Sequence, residues 1–286
     1  MPAAAHACFL IDSRMESAFE TVASDSWPVV TTADLGHRFP ESAAHESPSL
    51  RAADLAAPPS YELKYALTEL DAAGLEQEFS GWMSIDPHAD PALDHSYRIS
   101  TVYTDTPRFD VFHRVPGHYR TKFRLRRYGD SSAVFLERKT KRGRQVSKDR
   151  ASVDHEHLHR LSASANPDWP GEEYRLQLAR RSLLPVCAVT YLRRAYFGVT
   201  DEGRMRVTFD RSLQGQRTND WDFSAAGSGA PLAEGLVICE FKFRGAMPTA
   251  FKRAIARIQM LPGGFSKYRG CMEAHGLTRQ EQLAHA

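Results

Sequence analysis

Between residues 122 and 126 the chain reads Lys-Phe-Arg-Leu-Arg, and this alternation constrains the fold more than any other feature. Residues two apart along a strand share a face. Lys122, Arg124 and Arg126 therefore lie on one side, with Phe123 and Leu125 on the other. The same division recurs elsewhere: Glu62 with Lys64, Glu137 with Lys139, Arg206 with Asp210, and Glu240 with Lys242. Their neighbours Leu63, Leu136, Val207, Phe209, Phe241 and Phe243 point the opposite way. A half-solvated sheet commonly carries Thr, Ser, Gln and Asn on its wet side, whereas these faces carry almost only Arg, Lys and Glu. Cations packed that densely repel one another and need a polyanion or a metal–phosphate complex to offset the cost. Five such faces, curved together, would enclose a cationic lumen punctuated by carboxylates.

Charge is concentrated along the chain in the same sense. The formal net charge is only +2, yet residues 120–150 carry twelve Lys and Arg against Asp130, Glu137 and Asp149. Residues 1–60 carry three basic residues against eight acidic ones. A basic block inside a near-neutral chain points to a localised anionic ligand. Residues 1–57 are rich in Ala, Ser, Pro and His without strand or helix periodicity, and read as a disordered or weakly ordered leader. A folded domain is expected over 58–275, with a short tail over 276–286.

Strands are predicted at Tyr61–Leu67, Tyr97–Tyr103, Tyr119–Tyr128, Ala133–Lys139, Ala188–Tyr196, Met205–Asp210 and Leu236–Arg244. Thr68 followed by Asp71 caps a helix that Leu75, Phe79 and Trp82 continue and Asp86-Pro87 ends. Further helical patterns cover 154–163, 171–183 and Pro248 to Leu261, the last stopped by Pro262-Gly-Gly264. The expected fold is α+β: an antiparallel barrel or tunnel of about eight strands, with helices packed outside and plugging one end.

Nine short segments occur in an order that resembles a known family. They are Tyr61-Glu-Leu-Lys-Tyr65, Val102-Tyr-Thr-Asp-Thr106, Lys122-Phe-Arg-Leu-Arg-Arg-Tyr128, Phe135-Leu-Glu-Arg-Lys139, Lys148-Asp-Arg150, Tyr191-Leu-Arg-Arg-Ala-Tyr196, Arg206-Val-Thr-Phe-Asp210, Cys239-Glu-Phe-Lys-Phe243 and Phe265-Ser-Lys-Tyr268. In register they resemble the VTC (vacuolar transporter chaperone) domain of polyphosphate polymerases, within the triphosphate tunnel metalloenzyme group. The resemblance implies an ATP-dependent enzyme that extends inorganic polyphosphate and uses Mn²⁺ or Mg²⁺. By position it implies Lys64, Arg124, Arg126, Lys139, Arg193, Arg206 and Lys267 as the catalytic set. Lys122, Lys148, Arg150, Lys242 and Ser266 are further substrate contacts, and Glu240, Glu137 and Glu62 are the metal carboxylates. Arg193 is preferred to Arg194 because the family reads Tyr-x-Arg-x-Ala-aromatic. Hydrolases and cyclases of the wider group open with Glu-x-Glu-x-Lys; here Ser60 replaces the first Glu, which fits the VTC branch. A non-catalytic polyphosphate or inositol-phosphate binder and a tunnel-type triphosphatase are the alternatives.

Other features carry less. His155, His157 and His159 suggest a metal site, but on an α-helix only His155 and His159 would share a face, too few ligands for a good site. Lys141-Arg-Gly-Arg144 reads as a basic hairpin turn, and Tyr97, Tyr103, Tyr119 and Tyr128 as core or rim residues, so no nucleic acid is expected. Cys8, Cys187, Cys239 and Cys271 lie far apart with no CxxC pair, which fits free thiols and a cytoplasmic chain. No apolar run is long enough to span a bilayer, so coupling to a membrane would need a separate partner.

Overall fold

The computed structural model describes residues 60–142, 145–258 and 265–277. The leader, residues 259–264 with the Pro-Gly-Gly stop, and the chain beyond 277 lie outside that set. Among the described residues there are ten strands: β1 (Ser60–Thr68), β2 (Ser84–Ile85), β3 (Tyr97–Asp105), β4 (Thr121–Tyr128), β5 (Ala133–Arg142), β6 (Gln145–Asp154), β7 (Leu184–Thr200), β8 (Gly203–Arg217), β9 (Ala230–Pro231) and β10 (Leu236–Arg244). Four α-helices accompany them: α1 (Glu69–Ser80), α2 (Glu172–Arg180), α3 (Thr249–Ile258) and α4 (Lys267–Ala274).

Eight of the strands form one antiparallel path in the order β1–β10–β8–β7–β3–β4–β5–β6. The two-residue strands β2 and β9 pair with β7 and β8 off that path. Among the described residues no backbone ladder joins the edges β1 and β6. The sheet still curls far enough that Lys139 of β5 comes within 3.8 Å of Glu62 on β1, so an ion pair spans the seam.

The outward apolar residues dictate where the helices sit. Leu63, Tyr65 and Leu67 of β1 bury with Phe241 and Phe243 of β10 against Leu75 and Phe79 of α1 and Phe251 of α3. Rings of Phe79, Phe241 and Phe251 meet edge-on at 4.8–6.0 Å, a favoured aromatic geometry. On the other wall Phe123 and Leu125 bury beneath α2, with Phe123 edge-on to Tyr174 at 5.4 Å. The alternation at 122–126 thus sorts as expected. At one end α4 inserts Tyr268, Cys271 and Met272 among Cys187, Val189 and Tyr191 and plugs the tunnel.

Several element boundaries differ from the sequence reading. Helix α1 starts where predicted, with Thr68 Oγ1 accepting from the Asp71 amide at 3.2 Å. It stops at Ser80, with Gly81 as its C-cap; Trp82 lies beyond it and is 42% exposed. The 154–163 pattern is a 3₁₀ helix over His155–Ser162 rather than an α-helix. The polar strand β6 was not anticipated at all. Cys187, Cys239 and Cys271 are free and buried. No helix among the described residues is long and apolar enough to cross a membrane.

Candidate functional site: a cationic lumen

Cross-strand register assigns each ionic side chain to the concave face, because directly paired residues share a face. On one wall Glu62 pairs with Lys242 and Lys64 with Glu240. Glu240 in turn stands opposite Thr208, and Lys242 opposite Arg206. Asp210 faces Arg193, which faces Tyr97. On the other wall Tyr103 faces Arg124 and Thr101 faces Arg126. Arg124 then faces Glu137, and Glu137 faces Arg150. Lys122, Lys139 and Lys148 form a single row across β4, β5 and β6. Every strand-borne basic residue expected at the site therefore points into one lumen.

Three carboxylate centres hold these cations. The first is the pair Glu62 and Glu240. Lys64 Nζ lies 2.5 Å from Glu62 and 3.2 Å from Glu240. Lys242 Nζ lies 2.9 Å from Glu240 and 3.5 Å from Glu62. Burial and mutual repulsion raise the Glu62 pKa, but Lys64, Lys242 and Lys139 outweigh both and hold it below the usual value. Burial likewise opposes ionisation of Glu240, and Lys242, Lys64 and Arg193 drive it well down. The two groups present four ionised oxygens, hard donors of the kind that Mg²⁺ and Mn²⁺ accept. With Lys64 and Lys242 turned away, the donor chemistry of this pair fits a divalent cation.

The second centre is Glu137, which is not close enough to that pair to complete a three-carboxylate group. Its Oε2 accepts from Arg124 Nε at 2.7 Å, and its Oε1 accepts from Lys148 at 2.8 Å and Arg150 at 2.5 Å. Arg126 stands farther off at 4.0 Å. Glu137 is saturated by cations from its own wall, and its pKa falls far below normal as they overcome burial. Its geometry organises Arg124 and Arg150. The third centre is Asp210, which grips Arg193 through a fork of 2.6 and 2.8 Å and Lys267 at 2.6 Å. Burial raises its pKa, but these two cations outweigh that and bring it to about 2.

Arg126 and Arg206 are committed differently from Arg193. Each is largely enclosed, yet neither Nε has a protein hydrogen-bond partner. Arg206 lies over the Phe197 ring at 4.6 Å, and its Nη2 donates to the Tyr97 hydroxyl at 3.1 Å and to Asp86 at 3.3 Å. A guanidinium with unused N–H groups can take phosphate bidentately.

The lysine row is electrostatically expensive. Burial, then Lys64, Arg269 and Arg114, lower the Lys122 pKa to about 8. Burial also brings Lys139 to about 8 despite Glu62, and Lys148 to about 8 despite Glu137. Burial pushes Tyr128 up, but Arg126 and Arg150 more than compensate and bring its phenol to about 7.

The remaining expected residues sit at the plugged end. Lys267 reaches in from the first turn of α4, 4.4 Å above the Tyr191 ring. Ser266 spends its hydroxyl as the cap of that helix, accepting from the Arg269 amide at 3.4 Å. Arg194 points outward to Glu76 at 3.3 Å, so the strand separates it from Arg193 as the family pattern implied.

Asp210, Tyr191, Arg114 and Arg269 belong to the lumen's surroundings and were not among the site residues expected from sequence. Asp210 had a signal, sharing a face with Arg206. Arg114 and Arg269 had none, since they lie outside the strands. Outside the lumen, the one three-residue group among the described residues with metal-ligand spacing is Asp154, Glu156 and His157. The 3₁₀ geometry brings His157, rather than His155 and His159, to Asp154 at 3.9 Å. Asp154 and Glu156 are exposed, and the group remains an ordinary surface cluster.

Among solved structures, a Hippeastrum protein named for adenylyl cyclase activity and described as having dominant triphosphatase activity is 13% identical, with a TM-score of 0.44 over 79% of this chain and 99% of its own. A Bacillus halodurans protein assigned as an adenylate cyclase is 10% identical, with a TM-score of 0.43 over 72% of this chain and 92% of its own. No curated protein matches the chain. The VTC domain family matches residues 60–275, a span that takes in every strand and helix described above. With most of its length covered by that match, the chain belongs to the VTC domain family.

Proposed function

We propose that the chain is a polyphosphate polymerase that transfers the γ-phosphoryl group of ATP to the end of an inorganic polyphosphate chain inside the lumen. The observation that carries this reading is the continuous cationic lining, with Arg124, Arg126, Lys139, Lys64, Arg206 and Lys267 converging from five elements. Phosphoryl transfer proceeds through a loose transition state, so positioning and charge stabilisation supply most of the catalysis. Arg126 and Arg206 would hold non-bridging oxygens through their unused N–H groups, and Arg124 would do so from its anchorage on Glu137. The Lys122–Lys139–Lys148 row supplies point charges along the chain. Arg193 and Lys267, fixed by Asp210, set the geometry at the plugged end.

Glu240 with Glu62 would hold Mn²⁺ or Mg²⁺, which when bound offsets charge on phosphate oxygens. Glu137, caged by arginines on the facing wall, serves as an organiser in this reading. A terminal phosphate of polyphosphate is ionised near neutral pH, so no general base is assigned. Ser60 in place of a further glutamate favours transfer over water activation.

The test is incubation of the purified protein with ATP and Mn²⁺ or Mg²⁺, with products resolved by gel and chromatography. A ladder of long polyphosphate with ADP supports the polymerase. Orthophosphate without polymer replaces it with a triphosphatase, and binding without turnover replaces it with a storage or sensing module.

A further inference from the structure

All four oxygens of the Glu62–Glu240 pair carry an ammonium. Glu62 Oε1 is held by Lys64 at 2.5 Å, and Glu62 Oε2 by Lys242 at 3.5 Å and Lys139 at 3.8 Å. Glu240 Oε1 is held by Lys242 at 2.9 Å, and Glu240 Oε2 by Lys64 at 3.2 Å. A divalent ion drawing on these oxygens has to displace those lysines, or be repelled by them at close range. Phosphate oxygens offer the ammoniums an alternative partner of higher charge.

We propose that Lys64 and Lys242 latch the carboxylate pair shut against free divalent metal, and that the phosphate chain opens it by drawing both lysines away. The species that the lumen accepts is then a metal ion together with a phosphate chain, and not the ion alone. This inference rests on the metal-binding reading of Glu62 and Glu240, though not on polymer synthesis.

Coupling of this kind is reciprocal: whatever factor phosphate adds to metal affinity, metal adds to phosphate affinity. Lys64 and Lys242 flank the pair from β1 and β10, each one strand step from a carboxylate, so neither needs a backbone movement to swing away. Each is also partly exposed to the lumen, with side-chain accessibility of 33% and 20%. Lys122, by contrast, lies on β4 and has no ion pair with either carboxylate among the described residues.

The test follows Mn²⁺ binding by the loss of the free-ion EPR signal, using the full chain in phosphate-free buffer. The native protein should bind Mn²⁺ only weakly. Lys242→Met and Lys64→Met should each tighten Mn²⁺ binding at least about tenfold, within the usual range of coupling between sites. Lys122→Gln removes a lumen charge that does not touch the pair, and it should leave Mn²⁺ binding near the native value. Circular dichroism identifies any variant that fails to fold, and either lysine variant alone suffices.

A second arm loads the native protein and Glu240→Gln with tripolyphosphate and Mn²⁺ and passes each through a desalting column. Native protein should retain both, whereas Glu240→Gln should retain tripolyphosphate and lose Mn²⁺. Tight Mn²⁺ binding by the native protein without phosphate would overturn the latch. Equal tightening in all three lysine variants would overturn it too, since lumen charge in general would then control metal access. Retention of Mn²⁺ by Glu240→Gln would remove the carboxylate pair from the site. No ATP enters either arm, so failure of polymer synthesis would leave this inference standing.

Discussion

Substituting Arg126 by Lys separates a lumen that grips phosphate from one that merely attracts it. The residue is 7% exposed, its Nε has no protein partner, and its nearest carboxylate oxygen stands 4.0 Å away. Its charge acts on Glu137 and Tyr128, yet no carboxylate grips it directly. Lysine keeps that charge but replaces a planar fork by a single ammonium on a shorter reach. If Arg126 binds phosphate bidentately, the change removes one charge-assisted hydrogen bond and misplaces another, a loss of about 1–3 kcal/mol. At about 1.4 kcal/mol per factor of ten, turnover should fall roughly tenfold to a hundredfold.

Folding should change little, because lysine keeps the positive charge that Glu137 and Tyr128 feel. The control is Arg138→Lys, on the outward face of β5. Arg138 bonds Asp149 at 2.6 Å, but Asp149 is 57% exposed, and a surface pair contributes about 0–1 kcal/mol. The assay is initial-rate ADP release with ATP, metal and short-chain polyphosphate, alongside a thermal melt. Small and equal effects in both variants would refute the reasoning, since a purely Coulombic lumen does not distinguish Arg from Lys.

Glu240→Gln removes one metal-holding charge while keeping size, so turnover should collapse while metal-free tripolyphosphate affinity, measured by calorimetry, holds or tightens. Lys122, Lys139 and Lys148, each at about 8 in the free protein, should return toward the ordinary lysine value when phosphate binds. Binding near pH 8 should therefore take up protons, seen as buffer-dependent enthalpies, and affinity should fall as pH rises through 8. In the free protein the sign reverses: the folded state holds fewer protons than the unfolded between about pH 8 and 10.5, so these lysines' cost to stability eases as pH rises across that window, visible in chemical denaturation. Phe241→Ala empties the aromatic cluster between α1, α3 and the sheet, costing about 3–5 kcal/mol and lowering the melting temperature by roughly 6–20 °C.

The tunnel was legible wherever one face of a strand was apolar. Phe123 and Leu125 fix the sense of β4, and once their burial is granted Lys122, Arg124 and Arg126 have only the lumen left. Strand β6 was invisible for the converse reason. As an edge strand it buries Val153, but the run Ser147-Lys-Asp-Arg-Ala-Ser152 before it has no hydrophobic period. Its charges were noticed, and their register against Glu137 was not. Trp82 extended the helical spacing of Leu75 and Phe79, but Gly81 ends α1 one residue earlier.

The family resemblance grouped Glu62 and Glu137 with Glu240 as the metal carboxylates. Strand order separates them: β1 and β10 are neighbours and bring Glu62 to Glu240, whereas Glu137 lies on β5 among the arginines of β4 and β6. The seam ion pair between Lys139 and Glu62 depends on how far the sheet curls, a quantity that no local pattern encodes.

The most direct examination is an experimental structure of the chain with Mn²⁺ and a short polyphosphate of defined length. The phosphates should run through the lumen, with oxygens about 3 Å from the Arg124 and Arg126 guanidiniums and the Lys139 ammonium. Lys64 and Lys242 should have turned from Glu62 and Glu240 toward phosphate. A chain bound on the outer surface, with the lumen's ion pairs intact, would contradict the assignment of this cationic interior as the site of chemistry.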